Sequence, residues 1–133
     1  MDAMTLTPGS EDLTTAAAVL RTRLLDDLDD EVWPMDHVEL IIDHYKLAET
    51  AEERQVLALD VLRSLLREKL ILVGDVVGGD PAYINPWPGT PEDILDRIRS
   101  LYVDHYDDAV KWDLSIWISL NDERKIWRNN VID

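Results

Sequence analysis

Residues 50–86 limit the possible folds more than any other stretch, because a helix pattern leads there directly into a hairpin pattern. Thr50 and Glu53 have the spacing of a capping box, in which each side chain accepts a hydrogen bond from the other residue's backbone N–H. A helix is therefore predicted to begin here. Its apolar residues keep helical spacing and form a wide face: Val56, Leu57, Ala58, Leu59, Leu62, Leu65 and Leu66. So wide a face predicts packing on more than one side.

After Lys69 the pattern becomes that of a strand, a turn and a return strand. Residues 70–77 are apolar apart from Asp75 and partly β-branched, and Gly74 interrupts them. The motif Gly78-Gly79-Asp80-Pro81 tolerates positive φ and contains a proline, which cannot donate to a ladder, so the chain is predicted to turn there. Residues 82–84 are the predicted return strand. A helix followed by such a hairpin is typical of a winged helix-turn-helix.

Three more helices are predicted from their start signals and apolar stripes. The first begins at Ser10, the second at Pro34 and the third at Thr90-Pro91. Their buried stripes are predicted to be Leu13, Ala17, Leu20, Leu24 and Leu28, then Val38, Ile41, Ile42 and Tyr45, and then Ile94, Leu95, Ile98, Leu101 and Tyr102.

The C-terminal part of the chain predicts a strand and a short last helix. Residues 112–120 alternate, with Trp112, Leu114, Ile116, Ile118 and Leu120 on one face. This strand is predicted to pair with the hairpin. Asn121 can then cap a helix that ends at Arg128, and a hairpin turn at Asn121-Asp122 is the alternative.

These elements together predict an α+β fold that is mainly helical and winged helix-turn-helix-like. It has four to five helices and a small antiparallel sheet of two to three strands, namely the wing and strand 112–120. The 133 residues suffice for one domain. Residues 10–128 are predicted to form that domain, residues 1–9 a loose N-terminal tail and residues 129–133 a frayed C-terminus.

The strong negative charge of the chain favours some partners over others. With 28 acidic against 13 basic residues the formal net charge is −15, which makes nucleic acid an unlikely partner and favours a basic protein. There is no cysteine, no signal-peptide pattern and no apolar run of membrane-spanning length. The expected location is therefore the cytoplasm, with no membrane contact.

Motifs for catalysis or cofactor binding do not occur in the sequence. It has no glycine-rich phosphate loop and no nucleophile elbow. His37 and His44 lie seven residues apart, about 10 Å along a helix, which is too far for both to bind one ion directly. We therefore expect these histidines to cap or border the core, and the protein to be non-enzymatic, with no cofactor, metal or catalytic residue.

One likeness to known proteins rests on a series of motifs between about residues 55 and 121. The series is Leu62-Arg63-Ser64-Leu65-Leu66-Arg67-Glu68, Leu72-Val73-Gly74-Asp75, Asn85-Pro86-Trp87, Pro91-Glu92-Asp93-Ile94-Leu95-Asp96-Arg97-Ile98 and Ile116-Trp117-Ile118-Ser119-Leu120. It resembles a group of small acidic bacterial proteins of unknown function. The resemblance implies a winged-helix-like core, and it implies no activity and no site residues.

The main functional prediction is an interaction module of the immunity-protein, antitoxin or regulatory-partner type, acting as a monomer or homodimer. The candidate residues are an acidic run near the end of the first helix and two tryptophans that could anchor an interface: Asp26, Asp27, Asp29, Asp30, Glu31, Trp87 and Trp117. A solvated run that ends the helix, and tryptophans packed in the core, are the alternatives.

The other functional prediction is a winged-helix transcriptional regulator that binds DNA. Its candidate contacts are Arg54, Arg63 and Arg67 on the helix before the wing, and Lys69 just after the end of that helix. The same helix region carries Glu52, Glu53, Asp60 and Glu68, so its charges cancel and little is left to neutralise phosphates.

Overall fold

The computed structural model describes residues 8–29, 31–79 and 81–127. The helices there are α1 (Pro8–Leu28), α2 (Met35–His44), α3 (Ala51–Arg67), α4 (Pro91–Tyr102) and the short α5 (Ala109–Trp112). The strands are β1 (Trp33–Pro34), β2 (Ile71–Gly78), β3 (Ala82–Pro86) and β4 (Trp117–Leu120). The predicted α+β class is confirmed. The sheet has four strands, more than the two or three predicted.

The sheet is antiparallel throughout, with the strand order β1-β4-β2-β3. Strand β2 is central, and its pairing with both β3 and β4 confirms the predicted hairpin and its third strand. One outer strand, β1, has only 2 residues and ends in Pro34. On the other edge, the Trp127 N–H donates to the Ile84 carbonyl at 2.7 Å. Short, proline-containing or covered edges disfavour the addition of a further strand.

Helix α3 begins where the capping box predicts. The Glu53 N–H donates to the Thr50 hydroxyl at 3.1 Å, and the Thr50 N–H donates to the Glu53 carboxylate at 3.3 Å. The Glu49 N–H, followed by the Thr50 N–H, donates to the Glu53 carboxylate and holds its pKa below its ordinary value. Thr90 and Asp93 form a second capping box at the start of α4, where Pro91 occupies the first turn. Both starts are set by local chemistry, and both predictions are confirmed.

The core lies where the helices pack against one another and against the sheet. Helix α3 contacts α1, α2, α4 and β2, as its wide apolar face predicts. Two residues assigned to buried stripes are exposed instead: Val56 by 48% and Tyr45 by 39%. Tyr45 follows the last residue of α2, so it has left the periodicity of that helix.

The predicted strand over residues 112–120 is wrong in its first half. Trp112 is buried at the end of α5, Leu114 is 66% exposed, and the strand begins only at Trp117. Trp112 and Ile116 are both buried and are four residues apart, a spacing that also suits helical turns. The alternation therefore did not distinguish a strand from a helical turn followed by a shorter strand.

The chain ends also differ from the prediction where they are described. Helix α1 already includes Pro8 and Gly9, which were assigned to a tail. The predicted last helix is a 3₁₀ turn, Glu123–Lys125, capped by Asp122. Residues 1–7, Asp30, Asp80 and residues 128–133 lie outside the described part, as does the side chain of Leu13. None of the helices in the described part is long and apolar enough to cross a membrane.

Candidate functional site

The acidic run lies at the C-terminal end of α1. Asp26, Asp29 and Glu31 are exposed. Among the described residues, neither the Asp26 carboxylate nor the Glu31 carboxylate takes part in a hydrogen bond or an ion pair. Asp27 is 41% exposed and bonds to His37, and Asp30 lies outside the described residues. At Asp26 and Glu31 the run therefore presents carboxylates that have no partner in the described part of the chain.

A cation from the other end of the chain compensates for negative charge at this helix end. The Lys125 ammonium donates to the Leu28 carbonyl at 2.5 Å and to the Asp29 carbonyl at 3.1 Å. The Trp33 indole N–H donates to the Asp27 carbonyl at 2.9 Å. Carbonyls at a helix C-terminus favour cations and lack intrahelical donors. Sequence reasoning missed this contact because 97 residues separate Lys125 from Leu28.

Replacing Lys125 by Met is expected to lower the free energy of unfolding by about 1 kcal/mol, because the end of α1 loses its cation and two carbonyls lose a donor. Urea denaturation measures the change. Lys46→Met is the matched control, since Lys46 is exposed and its side chain has no described contact. Equal losses in both variants would contradict the capping role of Lys125.

A groove of about 340 Å³ separates the end of α1 from α2. It is lined by Arg23, Asp27, His37, Leu40, Ile41, His44 and Tyr45. The His37 Nε2 and the Asp27 Oδ2 are 2.7 Å apart, and Trp33 stacks on the imidazole with 4.1 Å between ring centroids. Asp27 thus belongs both to the acidic run and to the groove.

Both histidines lie in this groove and contact their neighbours. His44 meets the Tyr45 ring edge-on, with 4.7 Å between centroids, and the Arg23 guanidinium lies over the same ring at 5.1 Å. Within the described residues, no group of three or more histidine, aspartate and glutamate side chains is placed to hold a metal ion.

The two candidate tryptophans differ in their surroundings. Trp87 is only 5% exposed, its indole N–H donates to the Asp75 carboxylate at 3.1 Å, and the Arg97 guanidinium covers its ring at 3.9 Å. Trp87 therefore packs in the core, which is the alternative given above for this residue. Trp117 is half-buried in β4, and its indole N–H donates to the Leu114 carbonyl at 2.8 Å. Neither indole hydrogen-bonds to the acidic run.

The candidate DNA contacts on α3 already pair with carboxylates of the same chain. Arg54 bonds to Asp43 at 2.5 Å and to Glu39 at 3.4 Å. The Asp43 hydrogen bond raises the pKa of Arg54. Arg63 pairs with Asp60 at 3.2 Å and Glu92 at 3.6 Å, and Arg67 pairs with Glu92 at 2.8 Å. Lys69 is exposed just beyond the helix, where its φ is 61°.

The other arginines whose side chains are described also have contacts within the chain. Arg21, Arg99 and Arg124 pair with acids, and Arg23 and Arg97 lie over aromatic rings. The Glu68 hydrogen bond raises the pKa of Arg21. Because the fold uses these cations internally, the surplus of carboxylates dominates the charge that a partner meets.

A half-buried carboxylate joins three helices and was not predicted. Glu39 of α2 is 14% exposed and accepts hydrogen bonds from the phenol of Tyr102, from the phenol of Tyr106 at 3.1 Å, and from Arg54. Burial raises the pKa of Tyr102, and burial together with Glu39 raises the pKa of Tyr106 to about 12. Both phenols therefore keep their protons at neutral pH and act as donors.

A second acidic surface lies at the start of α3 and the end of α4. This cleft of about 540 Å³ is lined by Glu52, Gln55, Asp104, His105, Tyr106, Asp107 and Asp108, among others. Asp113 lies close to these residues in the sequence, and its burial, followed by the charge of Asp36, raises the pKa of its carboxyl group. The cleft is a second concentration of carboxylates, and it offers a matched control for the acidic run.

Comparisons with protein-family models, with curated proteins and with solved structures found no match. The resemblance to small acidic bacterial proteins therefore stays a prediction.

Proposed function

We propose that the protein is a non-enzymatic acidic module that binds a basic protein surface through the end of α1, as an immunity protein, antitoxin or regulatory partner would. The observation that carries the proposal is the exposed acidic run, where Asp26 and Glu31 have no partner among the described residues. Lys125 donates to the Leu28 and Asp29 carbonyls and Arg124 pairs with Asp122, so neither cation is bonded to the Asp26 or Glu31 carboxylate. Such a surface attracts basic partners over a distance set by the ionic strength.

The position of the run adds support to this proposal. Asp26 and Asp27 lie in the last turn of α1, and that turn contains no basic residue. Acidic side chains at this end of a helix are unfavourable for stability. The acidic run lowers the stability of the helix end and remains exposed. A role in binding explains such a run better than a role in stabilising the fold.

The winged-helix assignment and the cytoplasmic location belong to the same proposal. The order of α3 followed by the β2–β3 hairpin supports a winged-helix-like core, and the cysteine-free sequence is compatible with a reducing compartment. We do not extend the proposal to DNA binding. Arg54, Arg63 and Arg67 would have to give up their carboxylate partners to reach phosphates.

The test is affinity capture from a lysate of the source cell, with and without nuclease treatment, using two variants that remove the same charge. The acidic-run variant carries Asp26→Asn, Asp29→Asn and Glu31→Gln. The cleft variant carries Asp104→Asn, Asp107→Asn and Asp108→Asn. We expect the wild type and the cleft variant to retain a basic protein that moderate salt releases. The acidic-run variant should bind it about tenfold more weakly, since three exposed charge pairs are lost.

Several results would contradict the proposal. Equal binding by all three proteins would remove the acidic run as the contact surface. Equal loss in both variants would mean that net charge alone governs retention. Recovery of nucleic acid instead of protein in samples without nuclease would favour the DNA-binding reading. Sedimentation of the free protein distinguishes a monomer from a homodimer.

A further inference from the structure

The groove between α1 and α2 combines exposed apolar side chains with the acidic run. Leu40 is 56% exposed and Tyr45 is 39% exposed, and both line the groove whose floor includes the buried Ile41. A single exposed leucine is ordinary on a protein surface. Here, however, two large apolar side chains border one concavity, and Asp27 connects that concavity to the acidic run.

We propose that this groove receives an apolar side chain from a basic segment of the partner, while flanking lysine or arginine residues pair with Asp26, Asp29 and Glu31. The inference rests on the proposed function and specifies the chemistry of the partner. It commits to a segment in which an apolar face and basic residues lie side by side, as in a basic amphipathic helix.

Two charged groups of the groove, Asp27 and Arg23, already have contacts within the chain, which lowers the cost of receiving an apolar side chain. His37 bonds to Asp27 at 2.7 Å, and Arg23 lies over the Tyr45 ring at 5.1 Å. An apolar occupant can therefore leave the Asp27–His37 hydrogen bond and the Arg23–Tyr45 contact in place, which limits the penalty of covering polar groups. The Trp33 ring also supports the His37 imidazole from one side, so the wall is ordered before a partner arrives.

Charge complementarity determines the sign of the flanking residues. The chain carries a formal net charge of −15, so an acidic segment would be repelled from the groove. A partner that is only basic could pair with the acidic run but would leave Leu40 and Tyr45 in water. Only a segment with both properties uses the whole surface, because apolar burial and charge pairing then add in one contact.

Two synthetic peptides of identical composition test this proposal by fluorescence anisotropy at low salt. In the first peptide, leucines follow helical spacing along one face and lysines occupy the rest. In the second, the same residues are scrambled so that no apolar face forms. We expect the wild type to bind the amphipathic peptide about tenfold more tightly than the scrambled one. Leu40→Ser is expected to abolish this preference. Val56→Ser is the control, since Val56 is 48% exposed on α3 and does not line the groove.

The outcomes separate this inference from the function on which it rests. An unchanged preference for the amphipathic peptide in Leu40→Ser would overturn the proposed role of the groove. Equal binding of the two peptides by the wild type would overturn it as well. If the acidic-run variant then weakens both peptides, the proposed function survives without the groove. If that variant binds both peptides as the wild type does, the proposed function fails and this inference fails with it. Both substitutions replace exposed side chains, so matching circular dichroism spectra are expected throughout.

Discussion

Replacing Gly74 by Ala is expected to lower the free energy of unfolding by about 3 kcal/mol. Gly74 lies in the central strand β2 and pairs with Pro86 on one side and Trp117 on the other. A Cβ at residue 74 would lie 2.1 Å from the Asn85 carbonyl oxygen, 2.7 Å from the Pro86 Cα and 2.8 Å from the Asn85 carbonyl carbon. These are backbone atoms, so relief requires β3 to move away from β2.

Urea denaturation of Gly74→Ala and Gly79→Ala together measures this effect. Gly79 follows the end of β2, and nothing lies within 4 Å of the position that a Cβ would occupy there. The control variant is therefore expected to change stability by no more than about 0.5 kcal/mol. A loss of similar size in both variants would contradict the claim that the nearby backbone of β3 excludes a side chain at residue 74.

Gly74 also illustrates which parts of the fold the sequence could predict. Its interruption of an apolar strand is visible in the sequence, but the reason for it is the path of β3, which a local pattern does not contain. The two capping boxes at Thr50 and Thr90 were predictable because donor and acceptor lie three residues apart. The hairpin turn was also predictable from local sequence, because its glycines and proline lie next to one another.

The errors arise where distant partners decide the structure. Strand β4 begins at Trp117 because Gly74 and Pro34 offer pairing partners there, and β1 exists only through that pairing. Residues 121–127 are likewise held by distant contacts: the Asn121 N–H donates to the Leu70 carbonyl and the Trp127 N–H to the Ile84 carbonyl. Helix propensity in residues 121–128 could not reveal either contact.

The candidate site divides in the same way. The acidic run is contiguous in sequence, so it was found, although its function is still a proposal. The groove depends on the packing of α1 against α2, which brings Arg23 and Asp27 beside Leu40 and Tyr45. The choice between core and interface for Trp87 stayed open in the sequence because its partners, Asp75 and Arg97, lie 10 or more residues away from it. The composition of the chain does not indicate that either of the two tryptophans is exposed.

Replacing Tyr102 by Phe is expected to lower the free energy of unfolding by about 2 kcal/mol, since a buried carboxylate loses a donor. Tyr102 is fully buried and its phenol donates to Glu39, which is 14% exposed. Phenylalanine keeps the ring that packs edge-on against Trp112, so the change isolates the hydroxyl. Tyr83→Phe is the control, because Tyr83 is partly buried and its described contact is the ring of Trp127.

The dependence on pH tests the same network with a different readout. The pKa of Tyr102 is raised in the folded protein, first by burial and then by Glu39. Its contribution to stability is therefore complete below the ordinary tyrosine pKa of about 10. It is lost as the pH rises above that value, because the unfolded chain then releases a proton that the folded chain retains. Urea denaturation should show a constant difference between wild type and Tyr102→Phe from about pH 7 to about pH 9, which narrows above about pH 10. A difference that stays constant or widens above about pH 10 would contradict a protonated, donating Tyr102 in the folded state.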